Sequence, residues 1–129
     1  MCYNKGTKIG GSAMQQKERL YSLSEKSSIG DIQYYLEVAF RERGFENQPI
    51  NEKLLLLMEE VGELAKAYRK KASLFGVDHK KLYNYDTIES EIADVFIVLV
   101  SICVELDIDL FEVFYEKEFY NVEREWSKL

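Results

Sequence analysis

Four acidic residues of this chain stand in two matched pairs. Glu60 and Glu63 lie in "EEVGELAKAYRK", and Glu91 and Asp94 lie in "ESEIADVFIVLVSIC". A three-residue step on an α-helix places both members of a pair on neighbouring positions of the surface. Glu59, four residues before Glu63, brings a third carboxylate to the first pair. Carboxylate oxygens gathered in this way suit a hard cation, Mg²⁺ or Mn²⁺, which keeps waters and phosphate oxygens in its remaining positions. The competing account is ordinary ion pairing, with Lys66, Arg69, Lys70 and Lys71 available on the same segment. The spacings alone leave the two accounts level.

The setting of the second pair sharpens the question. From Ile92 to Val104 apolar side chains point in every direction around a helix axis, and a helix apolar all round is buried on all sides. A buried carboxylate without a partner costs several kcal/mol, so it changes its pKa, finds a counter-charge or binds a metal. The helix macrodipole accounts for an acid in the first turn, and therefore for Glu89 and in part Glu91. It fades before Asp94, about two turns in.

Other chemistries lack their parts. The single histidine, His79, falls in a polar loop and reads as a solvated residue; with no cysteine pair beside it, a soft-metal site is disfavoured. The same poverty argues against a nucleophilic triad. Gly10–Gly11 has none of the flanking pattern of a phosphate loop. The net charge of −6 and the absence of a basic stripe argue against duplex nucleic acid as a partner. Cys2 and Cys103 form no disulfide framework, which points to a reducing, cytoplasmic setting. The N-terminal residues have no apolar core of a secretory signal. The apolar run Val95–Val104 is far shorter than the ~20 residues a bilayer requires.

The elements that must position the acids are all helical. The 129 residues are one domain in size. Residues 1–27 read as a flexible tail with a helical turn around Gln15–Leu23, and residues 28–129 as the domain. Ser28 is placed to cap a first helix that Gly44 stops. A turn containing Pro49, the only proline, precedes a second helix over about residues 51–74. A polar loop, Gly76–Tyr85, leads to a third helix that Asp86 and Glu89 would open as a capping box, ending near Leu106. Asp109 and Glu112 repeat that signature for a fourth helix reaching about Lys128. In the second helix Leu54, Leu57, Met58, Val61, Leu64, Ala65 and Tyr68 share one arc, which is the expected core face. The prediction is an all-α bundle of four main helices.

The stretches "LLLMEEVGELAKAYRK", "IESEIADVFIVLVSICVELDIDL" and "EKEFYNVERE" together resemble the MazG-type nucleotide pyrophosphohydrolases, over roughly Ile29–Trp126. The paired motif E-E-x-x-E followed by E-x-x-D is that family's mark, and "ERGFE" at Glu42–Glu46 resembles the end of its first helix. The resemblance implies a four-helix MazG-like bundle. It also implies Mg²⁺-dependent hydrolysis of a nucleoside triphosphate to the monophosphate and pyrophosphate. It makes Glu60, Glu63, Glu91 and Asp94 the metal ligands and gives Glu59 the leading place in the motif, where it could orient or deprotonate the attacking water. Lys117 and Asn121 match the family's K-x-x-x-N, which faces phosphates and sugar. Arg124 continues their helical spacing as a third substrate-binding side chain. For a base, Tyr34, Tyr35, Phe45, Tyr83 and Tyr85 are available, although packing is the plainer account of each.

Two alternatives stand beside this reading. One is a phosphoribosyl-ATP-type pyrophosphohydrolase on the same scaffold. The other is a non-catalytic helical dimerisation module whose acids pair with Lys66 and its neighbours. Either way the third helix has more apolar directions than one four-helix bundle covers. A homodimer or a dimer of dimers, with a partner subunit completing the bundle, is therefore expected.

Overall fold

Ser28 caps a helix, as the spacing predicts. In the computed structural model its hydroxyl accepts a hydrogen bond from the Asp31 backbone N–H at 3.0 Å, while the Asp31 carboxylate accepts from the Ser28 N–H at 2.9 Å. This reciprocal capping box opens helix α2, Ile29–Glu42. The structure describes residues 13–72 and 86–128, and within them it is all-α: α1 (Ala13–Tyr21), α2, α3 (Ile50–Lys71), α4 (Ile88–Glu105) and α5 (Leu110–Asn121). Among the described residues no helix is long and apolar enough to cross a membrane. The expected Gly76–Tyr85 loop, with His79, Tyr83 and Tyr85, and the residues around Cys2 and Gly10 lie outside the described residues.

The chain divides into two compact units, residues 1–46 with 103–129 and residues 47–102. In the first, α2 packs against α1 and α5. Leu36, Ala39 and Phe40 are buried along α2, as is Cys103 at the end of α4. Each large side chain among them contributes about 1.5–3 kcal/mol by leaving water. Helix α1 falls inside the stretch read as a tail. It is tied to α2 by an ion pair between Arg19 and Glu42, whose side chain is wholly inaccessible. Gln33 of α2 makes the second tie. Its amide Nε2 donates to the Ile108 carbonyl at 2.7 Å, and its Oε1 accepts from the Leu110 N–H at 2.9 Å.

The turns that end α2 and α4 share one design. Gly44 has φ +80°, and the N–H of Phe45 reaches back to the Phe40 carbonyl at 2.8 Å. Asp107 has φ +55°, and the Ile108 N–H bonds the Cys103 carbonyl at 2.8 Å. Both are left-handed C-caps, and α4 makes its cap without glycine. Asp109 then caps α5 by accepting from the Glu112 N–H at 2.9 Å, as its spacing predicts.

In the second unit α3 and α4 carry the acidic pairs, and two expectations are corrected there. The cap of α4 is Thr87 rather than Asp86: its hydroxyl accepts from the Ser90 N–H at 3.1 Å, so the helix starts one residue later than the Asp86–Glu89 pattern implies. The expected core arc of α3 is largely turned to solvent, with only Leu57 and Leu64 half-buried. Leu54, Met58, Val61, Ala65 and Tyr68 are exposed, and the buried residues of the helix are Lys53, Ala67 and Lys70. The reason lies in the seam with α4. Lys53 Nζ donates across it to the Ser101 carbonyl at 3.4 Å, and the face one heptad on from Lys53 carries Glu60. The helix turns Lys53, Ala67 and Lys70 inward and leaves most of the apolar stripe outside.

Candidate metal centre

Helix α4 delivers Glu91 and Asp94 from consecutive turns, and α3 delivers Glu60. One oxygen from each of these three carboxylates lies within 4.8 Å of the others. Glu91 is buried, with 4% of its surface exposed, whereas Glu60 and Asp94 are half-buried. Burial pushes the Glu91 carboxyl above its ordinary range, and the charges of Asp86, Asp94, Glu60 and Glu63 push it further. The Glu60 carboxyl is also raised, first by burial and then by Asp94, Glu59, Glu63 and Asp86. Each of these carboxyls stands among like charges, and their repulsion adds to burial in favouring the protonated forms.

The donor set fits a hard divalent ion. Mg²⁺ binds oxygen at about 2.1 Å, which puts two ligands on opposite sides of one ion about 4.2 Å apart. Only one pair of the three can lie opposite, and ligands at right angles stand about 3 Å apart, so oxygens within 4.8 Å of one another must draw together to share one ion. Glu60, Glu91 and Asp94 would hold such an ion.

The other residues singled out from the sequence are placed as follows. Glu63 lies outside the triad. Its carboxylate faces Lys66 one turn along α3, at 4.0 Å, with both side chains well exposed, so the pair is weak. Glu59 is exposed on the same helix. Lys117, Asn121 and Arg124 belong to the first unit. Helix α5 ends at Asn121 with Val122 as its C-cap, so Arg124 sits in the turn beyond the helix and not on a continuous helical stripe. Lys117 Nζ stands 5.5 Å from the centre of the Tyr120 ring. The Asn121 amide donates to Glu118 Oε1 at 3.1 Å, and its Oδ1 is buried without a hydrogen-bond partner. Tyr34 and Tyr35 line a cleft of about 360 Å³ with Arg19, Ser22 and Asp31. Lys53 and Gln33 were not anticipated as structural ties. Their polar ends meet backbone groups far along the chain, which no local spacing reveals.

The model of the MazG nucleotide pyrophosphohydrolase domain matches residues 48–118, more than half of the chain. The chain belongs to that family. The matched stretch contains the whole acidic triad and Lys117, while Asn121 and Arg124 follow its end. No match was found among curated proteins or among solved structures.

Proposed function

We propose that the chain is a Mg²⁺-dependent nucleoside triphosphate pyrophosphohydrolase, with Mn²⁺ as an alternative ion, releasing pyrophosphate and leaving the nucleoside monophosphate. The observation that carries this reading is the convergence of Glu60, Glu91 and Asp94 from two helices inside the stretch matched by the family. A bound Mg²⁺ would supply charge neutralisation for the polyphosphate and a water of lowered pKa. Glu60, Glu91 and Asp94 would hold the ion, and Glu63 would join them on turning from Lys66. Glu59 accepts a proton from the attacking water or orients it. Lys117 and Arg124 stabilise negative charge on the leaving pyrophosphate, and Asn121 offers hydrogen bonds to substrate.

The working form on this reading is a homodimer or a dimer of dimers in the cytoplasm. Its support is the apolar surface left open on α3, together with the exposed Ile92, Phe96 and Leu99 of α4. The non-catalytic dimerisation module draws its support from the Glu63–Lys66 pair. Phosphoribosyl-ATP remains a rival substrate on the same residues. The deciding experiment measures pyrophosphate release from standard and modified triphosphates and from phosphoribosyl-ATP, with and without Mg²⁺. Release that depends on Mg²⁺ and disappears in Asp94→Asn supports the proposal. No release from any substrate leaves only the helical module.

A further inference from the structure

The last turn of the chain builds an aromatic holder around one cation. Arg124 places its guanidinium carbon 4.6 Å from the centre of the Trp126 ring and 5.9 Å from that of Tyr120. The Trp126 ring is itself fixed, because its Nε1–H donates to the Asn121 carbonyl at 3.0 Å. That carbonyl, freed by the end of α5, also accepts the Arg124 backbone N–H at 3.1 Å. One acceptor at the helix terminus therefore orders both the backbone of the arginine and the ring that its side chain lies against.

We propose that Trp126 is a positioning residue for Arg124, holding the guanidinium ready for the polyphosphate; the inference rests on the substrate-binding role of Arg124 given under Proposed function. An arginine side chain has large rotamer freedom, and binding an anion must freeze it. Stacking uses the face of the guanidinium and leaves its N–H edge free, and the edge is what meets phosphate oxygens in pairs. The indole thus removes freedom without competing for the ligand. Both rings are well exposed, Tyr120 and Trp126 at 60% each, which sets a modest scale for the effect. An exposed cation–π contact corresponds to about a two- to fivefold change in an equilibrium constant.

The test is steady-state pyrophosphate release by the full chain with Mg²⁺, comparing the unaltered protein with Arg124→Ala, Trp126→Ala, Trp126→Phe and the Arg124→Ala/Trp126→Ala pair. Trp126→Ala is expected to raise KM about two- to fivefold, more than it lowers kcat. Trp126→Phe, which keeps a ring face, is expected to recover part of the loss. The double variant should be no worse than Arg124→Ala alone, because the ring acts only through the cation. Trp126 is the single tryptophan, so its emission should also shift when Mg²⁺ and inorganic pyrophosphate are added, and stay still in Arg124→Ala. An unchanged KM in Trp126→Ala, an unchanged KM in Arg124→Ala, or additive losses in the double variant overturns the proposal while the enzyme reading stands. A chain inactive on every triphosphate overturns both.

Discussion

Glu60 and Asp94 stand on different helices yet hold carboxylate oxygens within 4.8 Å of each other. Two acids that close repel unless a cation lies between them, so an ion that binds the folded triad would stabilise the fold by mass action. At a hundredfold excess over its Kd, Mg²⁺ would add about 2.7 kcal/mol. Asp94→Asn removes one carboxylate charge of the triad and its repulsion together. The variant is expected to fold, to lose the Mg²⁺-induced rise in melting temperature, and to lose about ten- to a hundredfold in pyrophosphate release. Thermal scans with Mg²⁺ and with chelator check the first part, and the phosphate assay checks the second. A full Mg²⁺ shift retained in Asp94→Asn would remove the triad from the metal site.

The raised carboxyls of Glu60 and Glu91 give the metal-free protein an inverted pH profile. In the unfolded chain both groups titrate in the ordinary carboxylate range, whereas in the fold they keep their protons to higher pH. Between those two values the folded state binds more protons than the unfolded one, so stability falls as pH rises. The contribution is therefore favourable in mild acid and lost as the pH climbs through the folded value, with burial the first cause and the charges of Asp86, Asp94, Glu59 and Glu63 adding to it. With chelator present, the melting temperature near pH 5 is expected to exceed that near pH 8. Saturating Mg²⁺ should erase or reverse the difference, and Glu91→Gln should flatten it. Melting curves across this range, with and without the ion, test the sign.

Gln33 joins α2 to the turn between α4 and α5 through both atoms of its amide. Replacement by Met keeps the length and apolar stem but leaves the Ile108 carbonyl and the Leu110 N–H without this partner. A half-buried backbone group stripped of its bond costs about 1–3 kcal/mol. Gln33→Met is expected to lose roughly 2 kcal/mol in urea unfolding with little change in m, since the surface exposed on unfolding is nearly the same. Because the altered turn is remote from Glu60, Glu91 and Asp94 in sequence, Mg²⁺ binding by the folded variant should persist.

What was legible in the chain followed from local chemistry. Ser28 with Asp31, Asp109 with Glu112, and Gly44 at positive φ are contacts within a few residues, and their residue types announce them. The paired acidic spacing was legible for the same reason, and so was the family. What local pattern could not supply was the rotation of a helix about its own axis. The α3 stripe from Leu54 to Tyr68 has the period of a core face, yet the structure buries Lys53, Ala67 and Lys70 instead. An apolar stripe says that a helix needs a partner and leaves open whether that partner is its own chain. The end of α5 misled differently. Continuing its period to Lys128 would put Arg124 on the helix, but the Trp126 indole and the Arg124 backbone take the Asn121 carbonyl and close the helix there.

The exposed stripe leads to the last prediction. Leu54, Met58, Val61 and Tyr68 on α3 are 48%, 71%, 47% and 60% exposed, and Ile92 and Phe96 on α4 are 53% and 38% exposed. Scattered apolar residues on a surface need no explanation, but a helical stripe with core periodicity does. A second copy of the chain would meet it with an identical stripe, as a two-fold interface requires, and a stable interface of this kind buries about 1,200–2,000 Å² in total. Light scattering is therefore expected to return at least twice the 15.1 kDa of one chain. Met58→Lys places a charge in the middle of the stripe and should shift the mass toward that of a single chain. A similarly exposed change outside it, Glu25→Lys, should not. Unaltered protein that stays monomeric at tens of micromolar would sink the dimer and leave the open face of α3 without this explanation.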